Sequence, residues 1–143
     1  MATTTAAVTL TSDLLSDNMS VSASTTCMKA GTTADGLDQM EYGYVEIASG
    51  TAYDIIGNTP TASKATKLYI KNHSVDETYY ISVVLDAQAV GRLYGGPNDT
   101  GDWMFIPADF HDAAGDIAIT SNGGTNKICY ALFHEGTTLL ATW

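Results

Sequence analysis

Asp109, His111, Asp112 and Asp116 fall within the ten residues PADFHDAAGD. Three carboxylates and an imidazole at such short spacing could hold a metal ion or exchange a proton. A zinc site needs three or four ligands at defined spacing, and this stretch offers one His. The EF-hand type of calcium loop needs D-x-[DN]-x-[DN]-G with a later Glu, a pattern that PADFHDAAGD lacks. Asn98, Asp99 and Asp102 make a second acidic group whose oxygens suit calcium. The chain has 16 acidic residues against 6 basic ones. In such a chain acidic loops are ordinary surface, so both stretches read as polar connections between strands.

Other constellations are incomplete. The three histidines, His73, His111 and His134, are far apart, and no H-x-H pair occurs. His134-Glu135 reads as the end of a strand rather than a dyad. There is no G-x-S-x-G elbow for a serine nucleophile. Gly123 to Lys127, GGTNK, lacks the spacing of a phosphate loop. The sequons at Asn18, Asn72 and Asn98 are what chance gives in a chain rich in Ser and Thr. A catalytic site needs nucleophile, base and orienting group in register. No enzyme, metal or cofactor is expected. Tyr94, Trp103 and Phe110 could stack on a sugar, but aromatics near loops also build cores and interfaces. Trp103 alternates with Met104, which favours core or interface.

The elements that would position these residues are short β-runs separated by turn residues. Strands are expected at Met19–Lys29, Glu41–Ala48, Ala52–Ile56, Thr66–Asn72, Thr78–Leu85, Val90–Tyr94, Asp102–Ile106, Asp116–Ser121 and Lys127–His134, with a tenth at Thr138–Ala141. Gly57-Asn58, Asn98-Asp99, Ala114 to Asp116 and Asn122 to Gly124 supply turn chemistry. Leu68 and Ile70 share one face, and Ile81, Val83 and Leu85 share another. Lys127–His134 is apolar on both faces, as in a central strand or one covered by a neighbouring subunit. Helix is confined to turns near Asp13–Asn18 and Ala108–Ala114. Residues 1–9 read as a flexible arm or one that orders against a partner. The expected fold is all-β: a single-domain β-sandwich over residues 1–143, jelly-roll-like, with little helix.

Composition narrows the partners. The net charge of −10 repels phosphate, so nucleic acid is not expected, and anionic membrane surfaces are disfavoured. No stretch approaches the roughly 20 apolar residues of a membrane helix. The N-terminus, MATTTAAVTLTSDLLSDNMS, does not read as a secretory signal, which implies synthesis in a cytoplasm. Charged residues make up 15% of the chain, below the roughly 25% usual for soluble domains, so the surface is polar but weakly ionic. Cys27 and Cys129 lie in apolar runs and read as buried free thiols.

The stretch GRLYGGPNDTGDWMFIPA, residues 91–108, holds the only arginine, Arg92, and one of two tryptophans. It reads as a long hairpin at a subunit contact. Arg92, Tyr94, Trp103, Phe105 and Trp143 are the expected contact residues. The ordered segments KLYIKN (67–72), GRLY (91–94), DWMFIP (102–107) and CYALFHE (129–135) resemble small virion structural proteins of tailed bacteriophages, marine cyanophage-like ones especially. The likeness spans roughly residues 66–135; this chain differs in the longer GGPNDTG connection. The resemblance implies a sandwich module without catalytic residues on the capsid surface of a virion, made in the host cytoplasm. It further implies a capsid decoration (cement) protein, a homotrimer that binds the major capsid protein. The alternative is a tail or fibre module that binds a receptor or glycan.

Overall fold

The computed structural model describes residues 4–13, 19–29, 31, 36–37, 39–55, 66–85, 88–108 and 117–135. The protein is all-β, with ten strands among the described residues: β1 (Thr5–Ser12), β2 (Met19–Thr26), β3 (Gln39–Ala48), β4 (Ala52–Asp54), β5 (Thr66–Asn72), β6 (Tyr80–Leu85), β7 (Gln88–Tyr94), β8 (Trp103–Ala108), β9 (Ile117–Ser121) and β10 (Thr125–His134). Among the described residues, helix is limited to a 3-10 turn at Pro97–Asp99. None is long and apolar enough to cross a membrane.

Two four-stranded antiparallel sheets pack face to face as a sandwich. One has the order β3-β10-β5-β8 and the other β4-β9-β6-β7. Successive side chains on a strand point to opposite faces, so one face of each sheet meets the other sheet. Ile47, Leu68, Ile70, Ile128 and Leu132 come from the first sheet; Ile81, Val83, Leu93, Ile117 and Ile119 come from the second. All are buried, and β-branched residues dominate, as suits a pleated surface filled from both sides. Tyr130 lies across Gly43, where a Cβ would come within 3.1 Å of its hydroxyl. That glycine lets an inward phenol fit between the sheets.

The connections mostly cross between sheets. β3–β4, β5–β6, β7–β8 and β9–β10 each join strands of different sheets, and among the described strands only β6 and β7 follow one another as neighbours within one of them. Pairing in β6–β7 shifts between Val83 and Val84, the signature of a bulge. Pro107 is tolerated because β8 is an edge strand.

One end of the sandwich is closed by a buried polar cluster. Asn72 and Asn126 are fully buried. The Asn72 amide donates to the Leu93 carbonyl at 3.0 Å and to the Asn126 side-chain oxygen at 3.4 Å. The Asn126 amide donates to the Ser121 hydroxyl at 2.6 Å and the Gly123 carbonyl at 3.0 Å. The Asn72 side-chain oxygen accepts the Ser74 N–H at 2.9 Å. These bonds tie β5, β7, β9 and β10 together and satisfy groups that would otherwise be costly to bury.

Two expectations need correction. Residues 5–9, read as part of an arm, form the first half of β1, which pairs with β2 from Thr5↔Thr26 to Ser12↔Met19. The run TAAVTLTS is small and weakly apolar, so its alternation carries little signal. The connection between β7 and β8 is not a hairpin, because β7 pairs with β6 and β8 pairs with β5. The strand expected at Thr138–Ala141 lies outside the described residues.

Candidate interaction face

The outer face of the β3-β10-β5-β8 sheet carries three aligned rows. Register places Tyr44, Cys129, Lys71 and Trp103 side by side. The next row is Tyr42, Ala131, Tyr69 and Phe105, and the third is Met40, Phe133, Lys67 and Pro107. Cross-strand aromatic neighbours of this kind stabilise a sheet by roughly 0.2–1 kcal/mol per pair. The aromatic rim shields the centre, so Cys129 and Ala131 are buried although they point outward. The rim itself stays open: Tyr42 is 58% exposed, Tyr44 52% and Trp103 46%.

The rim is ordered by ring contacts. Tyr42 and Tyr44 meet edge to face at 5.6 Å, and the Tyr42 hydroxyl donates to that of Tyr44 at 2.8 Å. That hydrogen bond pushes the Tyr42 phenol well above its ordinary value, with the Cys129 thiol adding to the effect. Lys127 Nζ stands 5.1 Å from the Tyr44 ring centre, and His73 packs against the same ring at 5.6 Å. Tyr69 and Trp103 lie 6.2 Å apart at a shallow tilt. Burial raises the Tyr69 phenol. The β1–β2 hairpin borders this face. Thr4 to Val8 and Tyr69, Trp103, Phe105, Ala131 and Phe133 line an open cleft of about 380 Å³ between them.

The expected contact residues do not form one patch. Trp103 and Phe105 belong to this face. Arg92 and Tyr94 stand opposite Ser82 and Tyr80 on the outer face of the other sheet. There the Arg92 guanidinium lies 4.8 Å over the Tyr80 ring, and Tyr80 and Tyr94 are 5.2 Å apart. The chain crosses between sheets from β7 to β8, which sends the flanking residues to opposite sides. Trp143 lies outside the described residues, as do Phe110, Asp109, His111, Asp112 and Asp116.

The other acidic group is used internally. Asp99 binds Lys71 Nζ at 3.0 Å and His73 Nδ1 at 2.7 Å. The lysine holds its carboxyl below the usual carboxylate value. Asp102 accepts the Tyr94 N–H at 3.0 Å. Asn98 and Asp99 both take positive φ, 54° and 63°, so the turn is strained and these partners hold it. A Cβ on Gly101 would collide with the Asn72 carbonyl, and one on Gly95 with the Asp76 carbonyl. The GGPNDTG connection is thus a close-fitting strap over the end of β5. Among the described residues no group of three or more His, Cys, Asp or Glu gathers as for a metal ion. His134 is buried on the inner face, with Nε2 3.7 Å from Glu41 Oε1. Both thiols, Cys27 and Cys129, are free and buried.

Sequence reasoning missed Met40, Tyr42 and Tyr44, which supply one whole edge of the face. Their spacing of two in QMEYGYVEIA is a visible signal, since it puts all three on one side of a strand. No family model, no curated protein and no solved structure matches the chain.

Proposed function

We propose that this chain is a non-enzymatic structural protein of a virion, a capsid decoration protein that binds itself and the major capsid lattice. The observation that carries this reading is the three-row aromatic face. It is broad, built on a rigid sheet, and enriched in Tyr, Trp, Phe and Met, the residue types favoured at interfaces. Two of its lysines cost little to cover, since Lys71 is already paired with Asp99 and Lys127 lies over Tyr44. Counted from β3, the sheets read 1-8-3-6 and 2-7-4-5, an order that supports the jelly-roll reading. The virion location rests on the resemblance over residues 66–135, which also implies three copies per unit. Antibody labelling of purified particles tests it. Signal spread over the head is expected, and particles without signal would overturn the assignment.

A second reading draws on one observation. Trp103, 46% exposed, and the neighbouring Tyr69 ring line an open cleft, as aromatics of a sugar-stacking site on a tail or fibre module would. Quenching of tryptophan fluorescence by a glycan, lost in Trp103→Ala, would favour it over the capsid role.

A further inference from the structure

The β1–β2 hairpin is a two-stranded ribbon, and every residue of β2 is exposed. Isolated two-stranded ribbons are marginal in water. β1 gains support by lining the cleft, but no residue of β2 lines it. Natural edge strands are guarded by charge, proline or bulges. β2, MSVSASTT, has none of these, and neither β1 nor β2 contains a charged residue.

The backbone defines what would fit. In an antiparallel pair, residue pairs that exchange hydrogen bonds alternate with pairs that do not. Cys27 N–H donates to the Thr4 carbonyl at 2.8 Å, which sets the phase of the ladder: Thr5 and Thr26, the next pair inward, are a non-hydrogen-bonded pair. Following the register, Ser20, Ser22, Ser24 and Thr26 all fall in this non-hydrogen-bonded class. Their N–H and C=O groups point away from β1, toward solvent. This outward set is self-complementary. A second β2 laid antiparallel, with Ser22 opposite Ser24 and Ser20 opposite Thr26, pairs every outward group on both strands. The twofold axis then passes through Ala23. Two copies of Ala23 would face each other at a non-hydrogen-bonded position, where Cα atoms come within about 4.5 Å and a small side chain fits.

We infer that β2 is a self-association edge, whose occupant is the β2 strand of a second copy related by this twofold. Charge favours a second copy meeting here. Each chain carries −10, so copies approach most easily through a surface without carboxylates, and the two strands provide it. The inference rests on the self-association in the proposed function and names its contact: β2–β2 pairs link neighbouring units, whatever number of copies each unit holds.

The test uses the full-length chain and two kinds of variant. Ser24→Pro removes one outward N–H without touching the β1 ladder, since Ser24 is not in an exchanging pair with Ala7. The mass of the assembly by sedimentation should fall to that of the unlinked unit, with an unchanged far-ultraviolet circular dichroism spectrum. Ala23→Cys should form an interchain disulfide on mild oxidation, because it faces itself. Val21→Cys should not, because it faces Thr25. An assembly whose mass is unchanged by Ser24→Pro, or in which both cysteine variants cross-link alike, overturns the β2 pairing while leaving self-association standing. A wild-type chain that stays monomeric at high concentration yet labels the virion head overturns the pairing but keeps the capsid reading.

Discussion

Asp99 uses both of its carboxylate oxygens inside the molecule, and that sets a pH limit on the strap around it. Its carboxyl is held below the usual value, chiefly by Lys71, and Asp76 is held low by the hydroxyl and N–H of Thr78. A depressed folded-state pKa contributes stability above the unfolded value, and that contribution is lost as pH falls through the folded one. Acidification below the ordinary carboxylate range should therefore loosen the 95–102 connection while pH 5–8 leaves it intact. Amide exchange in that segment should rise on acidification, and Asp99→Asn should already exchange fast at neutral pH. The glycines supply a second handle. Gly101→Ala places a methyl against the Asn72 carbonyl and should destabilise by about 1–3 kcal/mol in urea melts, as overpacking does.

At the scale of elements, the buried Asn72–Asn126 cluster joins strands of both sheets. Asn126→Ala would strip partners from Asn72 and Ser121 together, so a loss of roughly 1–3 kcal/mol is expected by denaturant unfolding. β5 was legible in full, because TKLYIKN alternates cleanly. The two alternating sets of β10 were also legible, though two apolar faces do not say which of them turns inward. Three things were not. β1 is built from small residues whose alternation is nearly silent. The partner of β7 was hidden, because strand periodicity is the same whether a connection turns back in one sheet or crosses to another. Asn72 and Asn126 look like ordinary polar residues until both are seen buried at the same end. The candidate face follows the same rule: the spacing of two between Trp103 and Phe105 puts them on one face, while Arg92 and Tyr94 were assigned to their side by proximity along the chain alone.

For the whole molecule, charge and shape pull in opposite directions. In the proposed assembly a chain of −10 repels its copies, while the aromatic face and the bare β2 edge would draw them together. Screening acts on the first and hardly on the second, since the Debye length falls from about 10 Å at 0.1 M salt to about 3 Å at 1 M. Self-association should therefore tighten as salt rises, the reverse of a contact built on ion pairs. Sedimentation across a salt series measures this, and weakening with salt would place the contact on charged groups instead.

β10 lies between β3 and β5, so its place in the sheet stays vacant until almost the whole described chain has been made. Gln39 meets His134, and Ala48 meets Thr125. At about 5–20 residues per second, a nascent β3 waits several seconds for its neighbour β10. During that interval Tyr42 and Tyr44 flank an open strand, and β5 lacks one of its two partners. Birth on the ribosome is thus the exposed moment of this fold: a stall before Thr125 would release a sheet with a gap at its centre, a substrate for chaperones and for aggregation.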